Sequence, residues 1–165
     1  MNDQLQHLID ALREELKEYG EMLALLDHQQ HMVMHRQTQD LLQCAAAINS
    51  QAQTIATARL EREQRQRHIA CWLSLPEQST LSVLVPQLPP TYQPLAQALV
   101  NENNERLARV QHRARQNHLL LSRVTDLMQR FVGSLFPSAT PPAPSGNEAQ
   151  NCVGLPRRSI YDDIG

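Results

Sequence analysis

The chain has 165 residues and a formal net charge of −2, and only 4% of its residues are aromatic. This length can bury one modest core but not two, and the near-neutral charge excludes a global attraction to nucleic acid or to an anionic membrane. The low aromatic content and the abundance of Leu, Ala, Gln, Arg and Glu are typical of long helices, so we expect an all-α protein.

An apolar repeat at the start of the chain predicts a long first helix. The repeat steps by four and three residues through Leu5, Ile9, Leu12, Leu16, Tyr19, Leu23, Leu26 and Val33. Such a heptad pattern is typical of a helix that packs along a neighbour. We expect this helix to run from Asp3, as its cap, to the mid-thirties. Charged residues between the repeat positions are expected mostly to face solvent, namely Glu14, Glu15, Lys17, Glu18 and Glu21.

A second repeat of smaller residues predicts a partner helix. Its members are Leu41, Ala45, Ile48, Ala52 and Ile55. No Gly or Pro separates the two repeats, so the two helices could form one rod or a hairpin, and we favour the hairpin, with Thr38 available as a cap. Charged residues occupy the repeat positions from Arg59 to His68, so we expect burial to lapse there and the helix to project into water. Pro76 should end this helix near Ser74.

A proline-rich connector follows, and after it a last long helix is predicted. The connector contains Pro86, Pro89, Pro90 and Pro94, and the stretch from Glu77 to Val85 before it should form a short helix or a turn. One face of the last helix is traced by Leu95, Leu99, Asn103, Leu107, Val110, Ala114, Asn117, Leu121, Met128, Val132 and Leu135. Asn103 and Asn117 occupy core positions of this face, where a polar residue usually fixes the register of the packing.

A second apolar row lies beside that face near the end of the last helix. It consists of Leu120, Val124, Leu127 and Phe131, is rotated by about a fifth of a turn, and has no apolar counterpart upstream. One neighbour in a bundle does not need both rows. Either the segment around Leu81 to Leu88 or a second copy of the protein covers the extra row, or the row forms a groove for a client helix. Met128 is expected on the internal face.

We expect the chain to consist of a helical bundle over residues 1–136 and a flexible tail over residues 137–165. The bundle should be a long antiparallel helical hairpin joined by a further helix into a coiled-coil bundle of about three long helices. The tail begins with a Pro-, Ser- and Gly-rich stretch that cannot bury enough apolar surface to offset the cost of ordering, which predicts disorder. Near its end, Ile160, Tyr161 and Ile164 suggest a short docking motif on a tether.

No motif of catalysis or metal binding stands out. The five scattered glycines form no phosphate-binding loop, and no His-Glu-x-x-His or Gly-x-Ser-x-Gly spacing occurs. His28, His31 and His35 have little carboxylate support, so we interpret them as solvent-facing side chains and not as a metal site. The arginine-rich stretches are interleaved with Glu, which favours a solvated helix face over nucleic-acid binding. We therefore expect neither an enzyme nor a protein that holds a cofactor or metal.

The cysteine spacing and the hydropathy predict a cytoplasmic protein. Three widely separated cysteines, typical of reduced thiols without a disulfide, are Cys44, Cys71 and Cys152. The amino end lacks the pattern of a signal peptide, and no apolar stretch is long enough to span a bilayer.

The order of these features resembles the FlgN family of flagellar type III export chaperones. The likeness covers residues 1–136: a Leu- and Glu-rich first helix, an Arg- and Glu-bearing second helix, a Leu- and Pro-rich connector and a last helix with an apolar end. It is strongest from Leu95 to Asn104, which open that last helix. The resemblance implies a cytosolic chaperone that binds helices near the ends of hook-filament junction proteins and delivers these proteins to the gate and ATPase components of the export apparatus.

The resemblance also implies where the partners bind. It places client binding towards the carboxyl end, here the helix from His118 to Phe136, and gives a tail tyrosine a role at the export gate. The residues expected to bind clients are Leu120, Val124, Leu127, Phe131 and Phe136. The residues expected at the gate are Ile160, Tyr161 and Ile164. The alternative function is a self-associating coiled-coil scaffold without a secretion client, whereas a chaperone should be a monomer or a weak homodimer.

Overall fold

The computed structural model describes residues 2–35 and 40–135, and these residues contain helices and no strand. In chain order the elements are α1 (Asn2–Met34), α2 (Leu41–Trp72), α3 (Leu81–Leu84), the 3-10 helix Val85–Gln87 and α4 (Gln93–Leu135). The predicted all-α class is confirmed for the described residues, with three long helices and one single-turn helix. Thr38 and the predicted tail, residues 137–165, lie outside the described residues.

The chain divides into two compact units, Met1–Leu121 and Ser122–Gly165. The first unit contains α1, α2, α3 and most of α4, and the second contains the end of α4. Within the described ranges, none of the helices combines the length and the apolar character that a membrane span requires.

Contacts between α1 and α2 show that these helices form an antiparallel hairpin, as predicted, and not one rod. Near the start of α2, the Cys44 thiol lies 3.9 Å from the Leu25 carbonyl oxygen. Further along, the Gln51 amide donates hydrogen bonds to Glu18, at 3.0 Å to the carbonyl oxygen and at 2.6 Å to the carboxylate. Near the end of α2, Ile69 joins the core around the first turns of α1. Residue numbers therefore rise along α2 as they fall along α1.

The main hydrophobic core of the first unit surrounds the first turns of α1. From α1 it contains Leu5, Leu8, Ile9 and Leu12, each 1% exposed. The other elements contribute Ile69, Ala70, Leu84, Val85, Leu88, Ala96 and Leu99. Burying one aliphatic side chain of this size stabilises a fold by about 1.5 to 3 kcal/mol, so this core holds the hairpin, the connector and the start of α4 together. The segment from Leu81 to Leu88, one candidate cover for the extra apolar row, packs here instead.

The turn at Ser74 ends α2 close to the predicted position. Ser74 has a φ of 56°, in the left-handed region. The Leu75 N–H donates to the Ala70 carbonyl oxygen at 2.9 Å, and the Ser74 N–H donates to the Cys71 carbonyl oxygen at 3.1 Å. These bonds are those of a Schellman motif, which satisfies carbonyl groups left open at the end of a helix. Pro76 follows and cannot continue the helix.

A buried ion pair joins α1 to the arginine-rich part of α2. Glu15 is 4% exposed, and its carboxylate accepts hydrogen bonds from Arg62 Nε at 3.0 Å and from the Tyr19 hydroxyl at 2.8 Å. None of the residues from Arg59 to His68 is fully buried, as predicted, but Arg62 contacts α1, so this stretch does not project past its neighbour into water. The prediction that Glu15 faces solvent is wrong. The charges at the repeat positions of α2 pair across the helix interface. Glu18 is likewise buried, against α2.

Two groups at this interface have shifted pKa values. Burial, together with the adjacent Glu15 charge, raises the pKa of the Tyr19 hydroxyl well above its ordinary value, so the phenol remains a hydrogen-bond donor at neutral pH. The hydrogen bond from Gln51 lowers the pKa of Glu18, against the opposing effect of burial. Because the folded state favours ionised Glu18, its contribution to stability is present above its ordinary pKa and is lost as the pH falls through the lowered value.

Two asparagines of α4 set its direction and its register on α1. Asn103 Nδ2 lies 2.9 Å from the Leu12 carbonyl oxygen, and Asn117 Nδ2 lies 2.7 Å from the Leu26 carbonyl oxygen. The two contacts are 14 residues apart on each helix, so α4 runs parallel to α1 with a spacing of two heptads. The Asn117 amide also donates to Gln29 Oε1 at 3.0 Å. The predicted structural role of both asparagines is confirmed.

The buried face of α4 differs in detail from the predicted one. Among the described side chains of α4, the buried ones are Ala96, Leu99, Asn103 and Asn117. Leu95 and Ala114, predicted on the packed face, are exposed. The side-chain oxygens of both asparagines are buried and accept no hydrogen bond within the described part of the chain. A buried unpaired acceptor costs about 1 to 3 kcal/mol, so α4 beyond Leu99 gains less stabilisation from α1 than the core provides.

We predict that the two hydrogen bonds donated by Asn117 are largely offset by the cost of its buried unpaired oxygen, so that its net contribution to stability is small. Asn117→Asp removes the donors and places a charge beside the Leu26 carbonyl oxygen, so the free energy of unfolding should fall by about 2 kcal/mol or more. Asn117→Leu also removes the unpaired oxygen and should stay within about 1 kcal/mol of the parent protein. Urea denaturation followed by circular dichroism measures both, with the exposed Asn104→Asp as the matched control. Equal losses for the Asp and Leu variants would contradict this interpretation.

Glu15→Gln tests the buried ion pair. The substitution keeps the size of the side chain but removes the closer and more deeply buried of the two carboxylates paired with Arg62, which keeps only Glu63 at 3.7 Å. Removing one member of a buried pair costs about 3 to 5 kcal/mol, and because the Arg62 side chain is still 14% exposed we expect a loss of about 2 to 4 kcal/mol in the free energy of unfolding. Glu14→Gln, at an exposed ion pair with Lys17, should leave the free energy of unfolding nearly unchanged, and urea denaturation measures both variants.

Candidate functional site

The end of α4, in the second unit, carries a continuous apolar surface. Its members are Val124, Leu127, Met128, Phe131 and Val132, with exposed fractions of 39%, 66%, 59%, 60% and 52%. At the helical rotation of about 100° per residue, these side chains lie within an arc of about 140°. Single exposed apolar residues are ordinary, but a contiguous set marks an interaction surface. We call these five residues the apolar face.

Two arginines border the apolar face along one edge. Arg123 and Arg130 are seven residues apart, so both lie on the same side of the helix, next to Leu127. Both are exposed. The opposite edge carries the uncharged Thr125 and Gln129. Sequence reasoning did not single out these arginines, although their seven-residue spacing beside an apolar row is a readable signal of a charged border.

The structure corrects the division of this surface into two rows. Leu127 and Phe131, from the predicted extra row, are exposed, and so are Met128 and Val132, which were expected on the internal face. The prediction that Met128 packs internally is therefore wrong. The heptad pattern does continue through these residues, but a periodic pattern reports only which side of a helix is apolar and not whether a neighbour covers that side.

The other residues predicted to bind partners lie either in the first unit or outside the described residues. Leu120 belongs to the first unit and is half-buried. The side chains that lie outside the described residues are Phe136, Ile160, Tyr161 and Ile164. The roles assigned to all of the predicted binding residues stay predictions.

The histidine cluster has the geometry of a helix surface. The His31 and His35 rings stack with their centroids 3.9 Å apart, and His35 Nδ1 lies 2.9 Å from the His31 carbonyl oxygen. These two side chains and His28 are exposed, as predicted. In residues 2–35 and 40–135, no three side chains of His, Cys, Asp or Glu converge as a metal-binding group.

The arginine-rich stretches are interleaved with carboxylates in space as well as in sequence. Arg65 pairs with Glu61 at 3.4 Å, and Arg106 pairs with Glu102 at 3.1 Å, each one helical turn apart. A nucleic-acid interface instead needs a stripe of positive charge free to contact phosphates. These pairs fit the predicted charged helix surface.

A shallow cavity near the start of α1 is a weaker candidate for a binding site. It has a volume of about 370 Å³ and is lined by Gln4, Leu5, His68, Ile69 and Trp72. Leu5 and Ile69 belong to the core, and Trp72, which is 51% exposed, is the one large exposed apolar side chain in its lining. The apolar face offers five such side chains on one helix, so it is the stronger candidate.

An exposed apolar helix face with a charged border is the kind of surface that binds another polypeptide. The fold and this surface thus place the molecule in the class of helical protein-binding proteins. Among known families, the model described as FlgN protein matches residues 1–146. The chain therefore belongs to the FlgN family, the flagellar export chaperones, as the resemblance implied. No curated protein and no solved structure matches the chain.

Proposed function

We propose that this protein binds hook-filament junction proteins in the cytoplasm before their secretion and delivers them to the type III export apparatus. Membership of the FlgN family supports the general role of a flagellar export chaperone. The observation that carries the finer proposal is the exposed apolar face of α4. An amphipathic client helix laid along this face would shield side chains that otherwise contact water.

The size of the apolar face suits reversible capture. Burying a side chain of this kind contributes about 1.5 to 3 kcal/mol, so three or four engaged residues give on the order of 5 to 10 kcal/mol before costs. Association and side-chain ordering consume at least about 4 kcal/mol of this. The remainder corresponds to weak or at most micromolar binding by the face alone. An export chaperone must release its client, and binding in this range permits release.

The border of the apolar face favours a particular kind of client helix. Apolar side chains at positions i, i+3 or i+4 and i+7 of the client would meet the face. Acidic side chains beside that stripe would meet Arg123 and Arg130. Leu120 lies four residues before Val124 in the sequence and Phe136 four residues after Val132, and we propose that both also contact the client.

A second element of the proposal is the motif formed by Ile160, Tyr161 and Ile164, which we assign to docking on the export gate. Three large apolar side chains within five positions are unusual for a segment that follows a Pro- and Ser-rich stretch. A short apolar motif on a tether is a common design for reversible docking. The tether would let client capture and gate docking proceed at separate places on the chain.

We predict that a charge on the apolar face abolishes client capture and leaves the fold intact. Val124→Glu, Leu127→Glu and Met128→Glu each place a carboxylate where a client side chain should pack, and all three positions are exposed in the free protein. Binding of a purified junction protein, measured by calorimetry, should fall at least about tenfold, as expected when one buried apolar contact is lost. Helicity and melting temperature should be nearly unchanged.

Gln129→Glu, which adds the same charge at the edge away from the arginines, is the matched control and should bind the client almost as the parent does. Should the three face variants unfold, the face belongs to a packed core and the client site lies elsewhere. A mass measurement in solution addresses the scaffold alternative, because a stable higher oligomer held by this face would argue against a capturing monomer.

Tyr161→Ala tests the tail motif separately. The substitution removes the largest apolar side chain of the motif, so binding to the purified export gate should weaken while client capture is not weakened. Tyr161→Phe keeps the ring and should retain most gate binding. Pull-down of the gate by the chaperone and its client, quantified for the three proteins, gives the comparison. Unchanged gate binding by Tyr161→Ala would remove this motif from the proposal.

A further inference from the structure

We infer that residues 159–164 of this same chain lie on the apolar face when no client is bound. The inference deepens the proposed function, since it concerns the surface assigned to clients, but it does not depend on which client binds there. The occupant is a segment of the second unit, the unit that also carries the apolar face. The apolar residues and the charges of this segment complement those of the face, and the intervening chain is long enough for the segment to reach it.

The apolar content of the segment matches a short stretch of helix face. Ile160, Tyr161 and Ile164 are spaced so that a helical turn would bring all three within an arc of about 100°. Ser159 and Asp162 have the Ser-x-x-Asp spacing of a capping box, which favours the start of a helix at this point. The segment can therefore present its apolar residues as one compact stripe.

The charges of the segment complement the border of the apolar face. Asp162 and Asp163 directly follow the first two apolar residues. In a helical turn Asp163 lies about 60° beyond Ile160, at one edge of the apolar stripe, and Asp162 lies about 100° beyond Tyr161, nearly opposite the stripe. When the segment runs so that its Ile160 edge lies against the edge that carries Arg123 and Arg130, the Asp163 carboxylate meets these arginines. Exposed pairs of this kind contribute little affinity, but they select an acidic occupant over a basic one.

The length of the intervening chain places the segment within reach. The 24 residues numbered 136–159 separate α4 from Ile160. A flexible chain of this length has an end-to-end distance of about 27 Å, and the apolar face extends about 12 Å along the helix. Tethering at this range gives an effective concentration in the millimolar range. An intrinsic dissociation constant of about 1 mM would thus already half-occupy the face.

A second copy of the chain is a poorer occupant of the same face. Two identical helices that pack antiparallel bring equivalent edges together, so Arg123 and Arg130 of one copy would oppose the same arginines of the other. Parallel packing would set the arginine edge against the uncharged edge that carries Thr125 and Gln129. Neither arrangement offers the arginines a carboxylate across the contact, whereas residues 159–164 do.

Competition for the face would link client capture to gate docking. While residues 159–164 cover the face, their apolar side chains are not available to another protein. A client that occupies the face displaces them, so a loaded chaperone presents a free Tyr161 to the export gate more often than an empty one.

A cross-linking experiment on the full chain, without client, tests the inference. Benzoylphenylalanine replaces Leu127, the protein is irradiated, and digested fragments are identified by mass spectrometry. We expect adducts between position 127 and residues 159–165 within one chain. The probe at Ser122, on the polar side of the same helix, should give less than about a tenth of the yield, since that position faces away from the apolar stripe. Mixing isotopically labelled with unlabelled chains separates adducts within a chain from those between chains.

Reversing the charges first on the face and then on the tail segment is the specific control. Arg123→Glu combined with Arg130→Glu should lower the yield at position 127 at least about threefold, and adding Asp162→Arg with Asp163→Arg in the same chain should restore it. Adducts mainly between chains would assign the face to a second copy, and a yield no higher than at Ser122 would leave it uncovered; either result overturns the inference. Because no client is present, the result is independent of whether Val124→Glu abolishes client capture.

Discussion

The first unit depends on α1 being packed on two sides at once. Its neighbour α2 runs antiparallel to it and its neighbour α4 runs parallel to it, so the polar groups of α1 that face either neighbour must find partners there. On the α2 side, Glu15 is paired with Arg62 and bonded to Tyr19. On the α4 side, backbone carbonyl oxygens of α1 accept hydrogen bonds from asparagine amides. Each interface is specified by polar contacts and stabilised by the shared core at one end.

The sequence was sufficient to predict the elements because each long helix carries its own periodic signal. The end of α2 near Ser74 and the structural role of Asn103 followed from a proline and from a polar residue at a core position. The hairpin was only favoured over a single rod, because no Gly or Pro between the two repeats marks a turn. The buried pair of Glu15 and Arg62 did not follow. A charge at a repeat position indicates exposure when each helix is considered alone, and only the alignment of two helices shows that opposite charges face each other.

The candidate site shows a related limit: the sequence predicts which side of a helix is apolar but not whether a neighbour covers that side. The apolar arc at the end of α4 was predictable from rotation per residue, and its arginine border can be read from the same arithmetic. Which part of the arc is covered was not predictable, as the exposed Met128 shows. Burial depends on the neighbours that a face finds, and the start of α4 makes the same point, where Ala96 is buried in place of the larger Leu95.

The paired asparagine contacts also restrict how the chain lengths of this protein can change. A residue inserted in α4 between Asn103 and Asn117 would rotate the second asparagine by about 100° away from α1, whereas an equal insertion in α1 between Leu12 and Leu26 would restore the match. Insertions and deletions in these two distant stretches of sequence are therefore tolerated only as matched pairs or in whole heptads. Length variation among related chains is therefore expected to accumulate outside these two stretches.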